Sequence, residues 1–167
     1  VVPKSCPVHV TSRVLVDVPS LRLAAFVRAF RRSLARGCER EGFRVVHYSL
    51  LDDHVHWIVE ASGKQELECG MRSVSSRLAR VVNRVFAREG AVLDGRYDAV
   101  LLRTPRQVRN GLRYVLLNAR KHARQPGSAL RTDPASSGRW FDCWRERPVE
   151  ADPIGGPREV ALARGWL

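Results

Sequence analysis

The chain has 167 residues, a formal net charge of +12 from 29 Lys and Arg against 17 Asp and Glu, and a hydrophobic fraction of 44%. That apolar share excludes a disordered basic arm, and no apolar run approaches the roughly 20 residues of a membrane span. Cys6, Cys38, Cys69 and Cys143 lie far apart, without Cys-x-x-Cys or zinc-ribbon spacing, so a zinc ribbon is excluded and reduced thiols in a cytoplasmic protein are expected.

Val8 to Val16 alternates as a first strand, with Val8, Val10 and Ser12 on one face and His9, Thr11 and Arg13 on the other. Pro19-Ser20 opens a helix from about Leu21 to Glu41. Its core stripe is Leu23, Phe26, Val27, Phe30 and Leu34, its wet side carries Arg22, Arg28, Arg31, Arg32 and Arg36, and Gly42 stops it. Phe43 to Leu50 and His54 to Ala61 read as two strands joined by Leu51-Asp52-Asp53, an antiparallel hairpin. After Ser62-Gly63 a second helix runs from Lys64 to about Arg88 with Leu67, Met71, Val74, Leu78, Val81, Val82 and Val85 inward. Val92 to Leu102 is again extended and contains Gly95-Arg96-Tyr97.

A last helix spans Pro105 to Arg124. Thr104 is its expected N-cap, proline is tolerated in the first turn, and Gln107 stands at the third position of a capping box. Val108, Leu112, Val115, Leu116 and Ala119 form its core stripe. A second stripe, Gln107, Asn110, Tyr114 and Asn118 with His122 one turn on, sets a phenol, an amide and an imidazole on one polar line. A third stripe, Arg106, Arg109, Arg113, Arg120 and Arg124, is cationic.

The order β-α-β-β-α-β, followed by this helix, predicts an α+β class: a ferredoxin-like split βαβ domain with an antiparallel sheet and helices on one face. Residues 1–124 are expected to form that domain. From Gln125 the composition turns to Pro, Gly, Ser and Asp around Arg139-Trp140-Phe141-Asp142-Cys143-Trp144. This tail, 125–167, is expected to pack its aromatics on the domain rather than stack them on bases, because exposed Trp clusters are costly to keep soluble.

Chemistry concentrates at His54-Val55-His56. Residues i and i+2 of a strand face the same way, so the two imidazoles project together, with Val55 and Trp57 on the opposite apolar side. Two neutral imidazoles side by side suit a divalent metal better than a hydrophobic core. Between Ala99 and Thr132 there is no acidic residue, yet there are Arg103, Arg106, Arg109, Arg113, Arg120, Lys121, Arg124 and Arg131. Guanidinium groups pair bidentately with phosphate, and clustering of this kind points to a polyanion.

Taken together, His54-Val55-His56 on a strand, a basic helix, Gly95-Arg96-Tyr97 and Leu112-Arg113-Tyr114-Val115-Leu116-Leu117-Asn118 resemble the single-tyrosine HUH transposases. The match is to the REP-associated tyrosine transposase branch (transposase IS200-like domain), over about His9 to Lys121. The resemblance implies that His54 and His56 bind a divalent metal, Mg²⁺ or Mn²⁺, with Asn118 as third ligand, and that Tyr114 is the nucleophile. It implies nicking and strand transfer of single-stranded or hairpin DNA through a 5′-phosphotyrosine. Asp53 stands where the family often has Asn, which bears on substrate detail rather than on the ligand set.

Free tyrosine has a pKa of about 10, so the phenol needs help, for which the cationic field of Arg113 and a base such as His122 are candidates. Arg96, Arg103, Arg106, Arg109, Arg113, Arg120 and Lys121 are the expected nucleic-acid contacts. The rival reading is a catalytically silent, domesticated nucleic-acid-binding protein, for DNA or RNA, on the same fold. Nucleoid association in the cytoplasm is expected and no membrane partner is; monomer and homodimer both stay open.

Overall fold

The computed structural model describes residues 6–122, 132–144 and 156–164, the side chains of residues 118–122 excepted. Its elements run β1 (Val8–Arg13), α1 (Ala24–Ala35), β2 (Glu39–Arg40), β3 (Phe43–Leu50), β4 (His54–Ala61), α2 (Lys64–Val85), β5 (Asp98–Leu101) and α3 (Pro105–His122). The strands form one sheet in the order β2-β3-β4-β1-β5, and every pairing is antiparallel. Without the two-residue β2, that order is the split βαβ arrangement expected from the sequence.

Alternation on the strands separates two chemically different faces. Val8, Val10, Val45, Val55, Trp57 and Val59 are buried on one face, against Phe26, Phe30 and Leu34 of α1 and Met71, Val74 and Leu78 of α2. α2 comes close because Gly70 has no side chain; a Cβ there would stand 2.1 Å from Cγ of Phe43. On the opposite face Ile58 and Leu102 pack against Val108, Leu112, Val115 and Leu116 of α3. The helices therefore cover both faces of the sheet, and the α3 face is the one that carries His54 and His56. Among the described residues no helix is long and apolar enough to cross a membrane.

α3 begins as the sequence predicts. The backbone N–H of Gln107 donates to Thr104 Oγ1 at 3.2 Å, and Gln107 Oε1 accepts from the Thr104 and Arg103 backbone N–H groups at 3.1 and 2.7 Å. This reciprocal pairing satisfies donors that a helix start otherwise leaves orphaned.

Three features of the first helix depart from expectation. Leu23, assigned to the core stripe, precedes the first turn at Ala24 and is half exposed, while Leu21 is buried in its place. The helix ends at Ala35, not Glu41, and Glu39–Arg40 instead pairs with Phe43 and Arg44 as β2. Gly37 follows directly after the last turn, where a Cβ would stand 2.2 Å from an Arg77 guanidinium nitrogen. Gly42, with φ of +68°, turns that hairpin rather than stopping the helix. Arg31, assigned to the wet side, is buried: its Nε lies 3.8 Å from Glu159 Oε1 and its guanidinium donates to the Pro134 carbonyl at 2.5 Å.

The described part of the C-terminal segment makes Arg31's surroundings. Ala135 and Tyr48 accept from the backbones of Leu50 and Ser137, and Ala161 donates to the Val45 carbonyl, so the segment pairs along the edge of β3 that faces away from β4. Glu159 is fully buried and accepts from Tyr48 Oη at 3.0 Å, Trp140 Nε1 at 2.7 Å and Arg139 at 2.9 Å. Burial, followed by the nearby Glu159 carboxylate, pushes the Tyr48 phenol well above its ordinary range.

Candidate functional site

β4 and β1 are neighbours, with Thr11 opposite His56 and Arg13 opposite His54. Because alternation turns His9, Thr11, Arg13, His54 and His56 to the same face, five polar side chains share the surface that α3 partly covers. The His54 and His56 Nε2 atoms are 3.1 Å apart. That is the spacing of two adjacent donors around one ion at metal–nitrogen distances of about 2.1 Å.

Each of those rings is anchored through its other nitrogen. His54 Nδ1 stands 2.6 Å from Asp53 Oδ1, and a carboxylate there accepts the ring N–H, leaving Nε2 with its lone pair. The bond to His54, ahead of the coulombic attraction of that ring and of Arg13, holds the Asp53 carboxyl below its usual range. His56 Nδ1 lies 3.1 Å from both His9 Nε2 and Thr11 Oγ1. Burial, with smaller repulsion from His9, His54 and Arg13, pushes the His56 pKa down to about 3. The ring is therefore neutral near pH 7, the form in which histidine ligates a metal. Burial likewise lowers His9.

Tyr114 arrives from above. Its ring centroid is 5.0 Å from that of His56 at an interplanar angle of 73°, and 5.7 Å from that of His9 at 66°. It is 40% exposed, so a side chain set against the buried His56 and half-buried His9 still reaches solvent. The structure thus gathers His54, His56 and Tyr114. Asn118 is on α3 one turn beyond Tyr114, but its side chain, with those of Arg120, Lys121 and His122, lies outside the described residues, as do Arg124 and Arg131 altogether.

Among the described residues no three His, Cys, Asp or Glu side chains converge as a complete metal site. His9 is not a third ligand to an ion between the two Nε2 atoms, since it addresses the Nδ1 side of His56. The donor set fits a divalent cation held by two imidazoles, with the remaining positions left to other groups.

Arg96, Arg103, Arg106, Arg109 and Arg113 are all exposed. Arg113 adjoins Tyr114, whereas Arg96 precedes Tyr97, whose ring packs against the core shared by α1 and α2 and whose phenol is raised by burial and by Glu68. Sequence reasoning missed His9 and Thr11 as site residues, and Arg13 as a cation at its rim. Their alternation was visible; what it lacked was the pairing of β1 with β4, which the split βαβ order itself dictates.

No protein-family model matches the chain, and no curated protein matches it. Among solved structures, a REP-associated tyrosine transposase bound to a REP hairpin aligns with a TM-score of 0.57 at 15% identity, over 73% of this chain and 71% of that one. A Deinococcus radiodurans protein described as a candidate transposase aligns with a TM-score of 0.48 at 11% identity, over 72% of this chain and 92% of that one. At 15% identity the first of these likenesses is one of fold: a split βαβ domain with a further helix laid across one sheet face. In particular, the fold is that of a REP-associated tyrosine transposase, which agrees with the resemblance read in the sequence.

Proposed function

We propose that the protein is a metal-dependent, single-tyrosine DNA-nicking and strand-transfer enzyme of the transposase kind, acting on single-stranded or hairpin DNA. The observation that carries this reading is the meeting of His54, His56 and Tyr114 on one sheet face, with two Nε2 atoms 3.1 Å apart and the Tyr114 ring 5.0 Å from His56. A fold shared with a transposase whose structure holds a REP hairpin supports the same substrate class for this chain.

His54 and His56 would hold the cation, Mg²⁺ or Mn²⁺, with the Asn118 amide oxygen as third protein ligand. When bound, such a cation supplies Lewis-acid polarisation of the scissile phosphate and offsets its charge. The rest of the chemistry belongs to the chain. The Tyr114 oxygen, having lost its proton, attacks phosphorus; the bond from phosphorus to the 3′-oxygen breaks, and that oxygen takes up a proton as it leaves. The products are a 5′-phosphotyrosine and a free 3′-hydroxyl. Attack of a 3′-hydroxyl reverses the step without ATP, because one phosphodiester replaces another. Arg113 and Arg109 contribute backbone contacts beside the nucleophile, and Arg13 a further cation next to His54.

The test is incubation with end-labelled hairpin DNA and Mn²⁺, followed by a denaturing gel. A covalent protein–DNA adduct is expected from the wild type and none from Tyr114→Phe. Binding without an adduct would favour the silent nucleic-acid-binding protein.

A further inference from the structure

The hydrogen-bond pattern around His56 has a direction built into it. In its neutral form His54 gives its Nδ1–H to the Asp53 carboxylate, and its Nε2 then carries a lone pair toward His56 Nε2, 3.1 Å away. A neutral imidazole has one N–H and one lone pair. Without a cation, His56 meets that lone pair best with hydrogen on Nε2, and its Nδ1 then accepts from Thr11 Oγ1 or His9 Nε2. A cation between the two Nε2 atoms needs lone pairs on both, so the hydrogen of His56 must stand on Nδ1. The Nδ1–H must then find an acceptor in a pocket where His56 is 4% exposed.

We infer that Thr11 and His9 form a reversible positioning pair for His56, donating to its Nδ1 in the metal-free protein and accepting from it when a cation is bound. Both side chains are suited to reversal. A threonine hydroxyl rotates between donor and acceptor, and a neutral imidazole exchanges tautomers. The His56 ring carries one hydrogen before and after, so the change costs no net proton. His9 also stands against the Tyr114 ring, which ties the ligand's orientation to the nucleophile's place on the sheet. The inference rests on the metal reading of His54 and His56 and adds to it the groups that make His56 a ligand.

The experiment uses the full-length protein, with Mn²⁺ affinity by calorimetry and imidazole ¹⁵N spectra with and without diamagnetic Mg²⁺. Thr11→Val keeps the shape and removes the hydroxyl; His9→Phe keeps a ring against Tyr114 and removes the nitrogen; thermal melts confirm folding. The double variant is expected to bind Mn²⁺ about 10–100-fold more weakly, the usual loss when a ligand's outer partner is removed. Thr11→Ser is expected to bind as wild type. In the wild-type spectrum Mg²⁺ should move the His56 hydrogen from Nε2 to Nδ1. Equal Mn²⁺ affinity in the wild type and the double variant, or a hydrogen fixed on one nitrogen in both states, overturns the inference. A wild type that takes up neither ion overturns the metal reading itself.

Discussion

The Tyr114 ring stands edge-on to His56, 5.0 Å between centroids, although the two residues come from α3 and β4 and meet only because α3 crosses the histidine face of the sheet. Tyr114→Phe keeps that aromatic contact and deletes one oxygen from a side chain that is 40% exposed. Its stability is expected to stay within about 0.5 kcal/mol of wild type, as for a surface change. Adduct formation should vanish while hairpin binding persists. Peptide mapping of a trapped wild-type adduct should place the nucleotide on Tyr114; placement on Tyr97, which packs on the other side of the sheet, would refute the mechanism.

The paired Nε2 atoms lead to a second expectation. His54→Ala and His56→Ala should each weaken Mn²⁺ binding strongly in calorimetry, because two adjacent donors become one. DNA binding in EDTA should change little, since the exposed arginines of α3 are untouched. Metal affinity equal to wild type in both variants would remove them as ligands.

Much of the fold was legible because local pattern and tertiary environment agree. β1 and α2 follow clear apolar periodicity, β4 alternates at Val55, Trp57 and Val59, and Thr104 with Gln107 announces the start of α3 through hydrogen bonds confined to neighbouring residues. The misreadings share one cause, a partner that the element's own periodicity does not reveal. Arg31 looks solvated on its helix, yet it is buried by Glu159 from the C-terminal segment. Glu39–Arg40 has no strand propensity and pairs only because Gly42 folds it onto β3. His9 and Thr11 alternated correctly but gained meaning only beside His56.

The arginines exposed on α3 should register in the salt dependence of binding. For a single strand, log K against log[salt] falls by about 0.7 per neutralised phosphate. Arg109→Ala with Arg113→Ala is expected to flatten the slope by about one to two units relative to wild type. An unchanged slope, measured by fluorescence anisotropy over several salt concentrations, would place the DNA elsewhere.

Glu159 is fully buried with Arg31, Arg139, Tyr48 and Trp140 around its two oxygens. Glu159→Gln preserves shape but removes the buried carboxylate charge that Arg31 and Arg139 share. Removing one partner of such a set costs about 3–5 kcal/mol. A urea titration should show a loss of that order; a loss below about 1 kcal/mol would mean that water or another group compensates the arginines.

His47 should make folding sensitive to acid. Its ring is buried against Phe141, its Nδ1 is 3.1 Å from Ser137 Oγ, and burial together with the Arg158 charge pushes its pKa down to about 3. In the unfolded chain the ordinary value of about 6.5 applies. Between those values the unfolded state holds a proton that the folded state refuses. The stability due to neutral His47 is therefore complete above pH about 6.5 and declines as pH falls toward about 3, by about 1.4 kcal/mol per unit. His47→Gln removes this titration, while His56 and the carboxylates titrate alike in both proteins and cancel in the difference. The stability advantage of wild type over His47→Gln should thus shrink steadily from pH 6.5 downward in chemical denaturation. A difference that stays constant with pH would show that the folded protein accommodates a charged His47.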